Sequence, residues 1–65
     1  MESFGKNLRI LRQQNKLTQQ QLGEKLGYAA RTISDWETDK NEPRIAVIKD
    51  IAKLFDITLD ELFDF

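Results

Sequence analysis

Apolar side chains recur along this chain at three- and four-residue intervals, the spacing that places them on one face of an α-helix. In the first segment these positions are Phe4, Leu8 and Leu11. Ser3 precedes them and belongs to the residue types that cap helix N-termini, because its hydroxyl accepts a hydrogen bond from an unpaired backbone N–H group. The pattern predicts a first helix that begins near residues 2–3 and ends before residues 15–17.

The second segment carries start and stop signals as well as an apolar face. Thr18 and Gln21 form the Thr-x-x-Gln pattern of a capping box, in which side chains and backbone bond reciprocally. Leu22 and Leu26 follow on the inner face, and Gly27 suits the left-handed backbone that ends many helices. We therefore predict a short second helix of about nine residues.

The third predicted helix covers about residues 29–37 and has two distinct faces. Ile33 and Trp36, three positions apart, face inward, whereas Arg31 and Asp35 belong to the polar side. Turn-forming residue types follow at 38–43 and end at the only proline of the chain.

Two further helices complete the predicted fold. Residues 45–55 are the most apolar segment, and a second capping box, Thr58 with Glu61, opens a short helix that ends near Phe63. Gly and Pro together number only four, and no linker is long enough to divide the chain. The expected fold is therefore all-α: one compact five-helix domain covering residues 1–65.

The composition excludes several kinds of chemistry. The chain has no Cys and no His, which removes disulfides, thiol nucleophiles, the usual general base and the commonest neutral metal ligand. A mass of 7.6 kDa leaves no room for a deep enzyme pocket. No apolar run suits a membrane span, and the start of the chain lacks the apolar stretch of a secretory leader. We expect a cytoplasmic binding module, not an enzyme, with no cofactor, metal or small-molecule ligand.

Charge is distributed unevenly along the chain. Residues 1–33 hold six basic and two acidic residues, whereas residues 34–65 hold four basic and nine acidic residues. One half is therefore suited to an anionic partner while the other keeps the protein in solution. An ordinary mixed surface accounts for the same numbers, so charge alone leaves both interpretations open.

The second and third predicted helices are the elements of a helix-turn-helix, two short helices joined by a tight turn at Gly27. In such a pair the first helix braces the second, which enters the major groove of B-DNA. The N-terminus of the bracing helix presents backbone N–H groups to a phosphate, and Gln19 at that position adds a side-chain donor. Spacing alone does not separate this motif from other small helical bundles.

Four runs extend the pattern: LTQQQLGEKLG at 17–27, RTISDWE at 31–37, EP at 42–43 and IAKLFDITLDEL at 51–62. In register and order they resemble the helix-turn-helix regulators of the phage Cro and repressor family, and the resemblance covers essentially residues 4–62. It implies a five-helix, phage repressor-like DNA-binding domain that uses its third helix for recognition. Double-stranded DNA is the partner that this resemblance implies.

The resemblance also implies roles for individual positions. Gln19 and the loop residues Lys40 and Asn41 would contact phosphates, and Arg44, directly after the proline, would point toward the minor groove. The positions that would read base edges lie at the start and on the outer face of the third helix: Ala30, Arg31, Thr32, Ser34 and Asp35.

The chemistry of Arg31 and Asp35 supports base reading independently of the family. The Arg31 guanidinium is suited to a bidentate contact with guanine O6 and N7. Asp35, one helical turn further on, would accept from cytosine N4 or hold the guanidinium in the plane of guanine. The alternative is an exposed helix pair that contributes a few tenths of a kcal/mol.

A structural pair and several departures accompany the resemblance. The family commonly pairs an arginine of the first helix with the glutamate that ends the third, here Arg12 and Glu37, and we favour this ion pair over a direct base contact. Ala29 stands where the third helix usually has a hydroxyl cap, Gly23 replaces an alanine, and Thr38-Asp39 replaces Asn-Gly. Arg44 likewise replaces a capping serine.

The predicted function is a sequence-specific transcriptional regulator, a repressor, that binds a palindromic operator as a homodimer. The candidate dimer surface is the C-terminal end, with Leu59, Phe63 and Phe65, because exposed aromatic side chains usually mark a contact. The alternative for Phe63 is that it folds back on the core. The alternative function is a protein-interaction module of the same fold with little DNA binding, which the acidic C-terminal half keeps open.

Overall fold

The order of elements was established from a computed structural model, which describes residues 3–63. All regular structure in this part of the chain is helical, as the periodicity predicts, and short loops connect consecutive helices. The helices are α1 Phe4–Gln14, α2 Gln19–Leu26, α3 Ala30–Glu37, α4 Ile45–Leu54 and α5 Leu59–Phe63.

Side-chain caps begin three of these helices at the predicted residues. The Ser3 hydroxyl accepts a hydrogen bond from the backbone N–H three residues later, at 3.2 Å. Thr18 and Gln21 form both bonds of a capping box at 3.0 and 2.8 Å, and Thr58 and Glu61 do the same at 3.0 and 2.8 Å. These bonds satisfy N–H groups that have no partner inside the helix.

Every helix contributes one fully buried aliphatic side chain to a single core. This core fixes the relative positions of the helices, because apolar burial is the main favourable term in folding. The side chains with an exposed fraction of 0% are Leu8, Leu22, Ile33, Ile51 and Leu62.

The C-terminal ends of four helices use left-handed backbone. Gly27 does so after α2 with φ 85°, as predicted. After α1, α3 and α4 the left-handed residue is the second one past the helix, and these residues are Lys16, Asp39 and Asp56, with φ of 57°, 61° and 56°. A residue with a Cβ atom adopts this region at a cost, so three of these turns are less favourable than glycine would make them.

Helix α5 lies against the start of α1. The Phe63 ring centroid is 5.6 Å from that of Phe4, yet 38% of Phe63 remains exposed. Phe63 therefore packs on the core edge and presents surface at the same time, while Leu59 is half-buried. The predicted contact residue Phe65 lies outside the described residues. Within residues 3–63 no helix has both the length and the apolar character needed to cross a bilayer.

Candidate nucleic-acid interface

Helix α3 is held by one face and exposed along the other. Ile33 and Trp36 are buried in the core, and Arg31 is fully on the exposed side. The remaining predicted base-reading residues are half-buried at the margins of this surface: Ala30, Thr32, Ser34 and Asp35.

Arg31 and Asp35 do not pair with each other. Among residues 3–63, neither side chain makes an ion pair or a hydrogen bond. The exposed helix pair that was the alternative interpretation is therefore absent, and the five donors of the Arg31 guanidinium remain available to a ligand.

The turn between α2 and α3 is built from close backbone contacts. The N–H groups of Gly27 and Tyr28 both donate to the carbonyl oxygen of Gly23, at 2.7 and 2.8 Å. A Cβ atom at Gly23 would meet the carbonyl oxygen of Tyr28, so this turn approaches α2 more closely than an alanine would permit. The Tyr28 ring packs edge-on against Trp36 with centroids 5.0 Å apart. These contacts hold α2 and α3 at a defined angle.

Glu37, the last residue of α3, connects three helices. Its Oε2 accepts from Arg12 Nε at 2.6 Å, and its Oε1 accepts from Arg12 Nη2 at 3.0 Å and from Gln19 Nε2 at 3.1 Å. Arg12 Nη1 donates to the Leu17 carbonyl at 2.9 Å. The side chains of Arg12 and Glu37 are 12% and 3% exposed, so the pair is largely removed from water. Bidentate geometry of this kind fixes the relative orientation of the two side chains and strengthens their interaction.

This environment raises the pKa of Arg12 above its ordinary value. The hydrogen bond with Glu37 is the largest cause, burial acts in the opposite direction, and the Glu37 charge adds to the increase. A raised folded-state pKa stabilises the fold below the unfolded value and loses its effect only as pH rises through the folded value. Arg12 therefore remains charged through the whole neutral range.

Gln19 is the first residue of α2, and its side-chain amide bonds Glu37 while a second N–H group remains for a ligand. The amide has two N–H groups, of which one bonds Glu37. The second N–H and the adjacent helix N-terminus are available to an anion, which is the arrangement expected for a phosphate contact.

The loop after α3 presents side chains rather than backbone donors. Lys40 and Asn41 are exposed, but their backbone N–H groups donate to the Asp35 carbonyl at 2.9 and 3.3 Å. Arg44 is exposed at the N-cap of α4 and follows the buried Pro43. Contacts of Lys40 and Asn41 to a ligand would therefore come from their side chains.

The structure brings some predicted residues together and leaves others apart. Gln19 and Arg12 meet at Glu37, and Lys40 and Asn41 are bonded to the backbone of α3. Arg44 makes no side-chain capping bond to α4. The candidate contact residues Leu59 and Phe63 lie apart from these, on α5, which packs on α1.

Residues without a role in the sequence-based prediction also hold the site. Asp39 Oδ1 accepts a hydrogen bond from the Gly5 N–H at 3.1 Å, and Asn7, fully buried, donates from Nδ2 to the Leu62 carbonyl at 3.0 Å. The sequence signal for the Asp39–Gly5 contact was Asp39 itself, which stands where the family usually has glycine. The signal for the Asn7–Leu62 contact was a polar residue, Asn7, beside the apolar face of α1.

A protein-family model described as helix-turn-helix matches residues 8–62. The chain is 42% identical over 59 residues to the HTH-type transcriptional activator BcrR of Enterococcus faecalis, covering 91% of this chain and 29% of that protein. It is 43% identical over 63 residues to the HTH-type transcriptional repressor RghR of Bacillus subtilis, covering 95% and 47%. The chain thus spans less than half the length of these two relatives.

Among solved structures, the fold is similar to the P22 c2 repressor protein crystallised in complex with a synthetic operator. The TM-score is 0.87 with 27% identity, over 97% of this chain and 96% of that chain. Since the family model covers most of the chain, and five helices superpose on a repressor domain, this chain belongs to the helix-turn-helix family, of the Cro and repressor type that its residues predict.

Proposed function

We propose that this chain is the DNA-binding domain of a transcriptional repressor that reads the major groove of double-stranded DNA with α3. The observation that carries this proposal is the exposed guanidinium of Arg31, which has no partner among residues 3–63, on the outer face of a helix whose inner face is packed in the core. The P22 c2 repressor, similar over nearly its whole chain, was crystallised on operator DNA.

Base reading rests on four kinds of contact from α3. Arg31 donates two hydrogen bonds to guanine O6 and N7, the most common specific contact in the major groove. Ala30 and Thr32 offer methyl groups to the thymine methyl, and Ser34 offers a hydroxyl. Asp35, half-buried one turn beyond Arg31, accepts from cytosine N4 or from the guanidinium itself.

Phosphate contacts set the register of α3 in the groove. Gln19 donates its second amide N–H from the N-terminus of α2, and the side chains of Lys40 and Asn41 contact the backbone from the loop after α3. Arg44 reaches toward the minor groove between half-sites, where a narrow groove concentrates negative potential.

Two copies bind together on a palindromic operator. A helix of eight residues covers few base pairs, so useful specificity requires two half-sites about 34 Å apart along the duplex. The domain measures 25 × 23 × 22 Å, which allows two copies side by side at that spacing. The surface that supports this contact is α5, where Phe63 stays 38% exposed and Leu59 half-buried. Action on the nucleoid, in the cytoplasm, follows from this function.

Selection of bound sites from random duplex DNA, followed by a salt titration of the selected site, tests the proposal. We expect a palindromic motif with half-sites about 10 base pairs apart, and affinity that falls steeply as salt rises. A protein-interaction module, favoured by nine acidic residues in positions 34–65, would enrich no motif and bind DNA weakly at every salt concentration.

A further inference from the structure

Asp39 has a left-handed backbone conformation and makes a hydrogen bond to a residue far away in the sequence. Its φ of 61° lies in the left-handed region, where glycine is the favoured residue. From this position its Oδ1 accepts a hydrogen bond from the backbone N–H of Gly5, 34 residues earlier, at 3.1 Å. Its own N–H donates to the Trp36 carbonyl at 3.2 Å.

Gly5 is the second residue of α1, where a backbone N–H has no partner inside the helix. The start of α1 and the end of α3 approach closely here. A Cβ atom at Gly5 would meet the carbonyl oxygens of Trp36 and Glu37 as well as the Asp39 carboxylate. Gly5 is accordingly buried. The Asp39 carboxylate therefore ties the loop after α3 to α1 at a point where the two backbones are in contact.

We propose that Asp39 is a positioning residue for the loop that contacts the DNA backbone, an inference that rests on the proposed function. Lys40 follows directly, and its N–H donates to the Asp35 carbonyl at 2.9 Å. The loop is thus fixed on both sides, to α3 through Asp35 and to α1 through Asp39. The base of the Lys40 side chain has a defined place, which lowers the conformational entropy lost when its ammonium meets a phosphate.

The same contact makes an acidic residue tolerable beside DNA. A carboxylate near a phosphate is normally repulsive. Asp39 instead directs one oxygen to the N-terminus of α1, where the helix dipole and an unpaired N–H favour negative charge. The hydrogen bond, rather than the charge, is the feature on which the position of the loop depends.

Two variants and a matched control test this role. Asp39→Gly suits the left-handed backbone but removes the acceptor, whereas Asp39→Asn keeps an acceptor oxygen and removes the charge. Asp56→Gly is the control, because Asp56 is also exposed, acidic and left-handed (φ 56°), and its side chain makes no hydrogen bond within residues 3–63. Operator affinity is measured by fluorescence anisotropy from 50 to 300 mM salt, and folding by thermal melting.

In Asp39→Gly the loop no longer holds Lys40 at its phosphate, so one charged contact is lost in each half-site. We therefore expect the slope of log affinity against log salt to fall by about 0.9 for each half-site, with about eightfold weaker binding per half-site at 0.1 M salt. Asp39→Asn and Asp56→Gly should keep the wild-type slope. Equal slopes for Asp39→Gly and Asp56→Gly, or an Asn variant as weak as the Gly variant, would overturn the proposal.

Hydrogen exchange of the Gly5 amide tests the bond to Asp39 directly, and DNA binding by the wild-type protein separates failure of this inference from failure of the proposed function. We expect exchange to accelerate in Asp39→Gly and to remain slow in Asp56→Gly, whether or not DNA is bound. If wild-type protein binds no DNA, the proposed function fails and this role fails with it. If wild-type protein binds and the salt slopes of the variants match, only the positioning role fails.

Discussion

Gln19 Nε2 lies 3.1 Å from Glu37 Oε1, so the first residue of α2 is bonded to the last residue of α3. The same oxygen accepts from Arg12 Nη2 at 3.0 Å. Gln19, at the proposed phosphate contact, and Arg12, which fixes the end of α3, therefore share the Glu37 carboxylate. Displacement of α3 would move the donor of Gln19, and loss of Glu37 would release both Gln19 and Arg12.

Replacement of Glu37 by alanine should destabilise the domain. It leaves the Arg12 guanidinium, only 12% exposed, without its carboxylate, and breaking a buried pair in this way costs about 3 kcal/mol. Urea unfolding measures this loss directly. The exposed Glu24→Ala on α2 is the matched control and should change stability by less than about 0.5 kcal/mol. A urea unfolding curve that Glu37→Ala leaves unchanged would contradict a structural role for the pair.

Gln19→Ala should weaken DNA binding by about 1 kcal/mol on every sequence, because it removes a hydrogen bond to phosphate and none to a base. The salt slope should not change, since the amide carries no charge. Anisotropy titrations on the selected operator and on a scrambled duplex measure both quantities, with the exposed Gln20→Ala as control. A change in sequence preference would instead place Gln19 at a base edge.

The sequence predicts the features of this fold that depend on neighbours in the chain. Thr18 with Gln21, Thr58 with Glu61, and Gly27 all occupy the predicted cap positions, because each motif is completed within three or four residues. Periodicity likewise identifies the buried apolar side chains Leu8 of α1, Leu22 of α2 and Ile33 of α3. The all-α fold and the family follow from these local signals and from the order of the motifs.

Apart from the Arg12–Glu37 pair, which the family resemblance implies, the pattern does not predict contacts between distant residues. The partner of Asp39 is 34 residues away, and the partner of Asn7 is 55 residues away, so no local spacing reports either bond. The left-handed backbone at Lys16 is equally hidden, because lysine carries no preference for it. The geometry of the candidate site depends on such contacts as much as on α3 itself.

Ala29→Ser should stabilise the domain by about 1 kcal/mol. Ala29 is the N-cap of α3 and makes no side-chain hydrogen bond, whereas a serine hydroxyl would accept from an N–H group of the first turn. Ala46→Ser, at an exposed position inside the first turn of α4, is the control and should be neutral or slightly destabilising. Thermal melting at equal protein concentration measures both. A lower melting temperature for Ala29→Ser would show that the turn rejects a larger side chain.

Lys16→Gly should raise stability by about 0.5–1 kcal/mol, because Lys16 has φ 57° after α1 and glycine adopts this region without strain. The gain is reduced by the greater freedom of glycine in the unfolded chain. Lys25→Gly places the same change inside α2 and should destabilise by about 1 kcal/mol. Loss of stability in both variants would mean that the Lys16 side chain contributes packing that outweighs its strain.

The measurement that tests the central claim most directly is a thermodynamic cycle between Arg31 and single base pairs of the selected operator. Arg31→Ala should lower discrimination at one G·C pair in each half-site by about 1–3 kcal/mol and leave all other positions and the melting temperature unchanged. Lys49→Ala, an exposed cation on α4, should change no base preference. Uniform weakening of Arg31→Ala on every sequence would contradict base reading and assign Arg31 to the phosphate backbone.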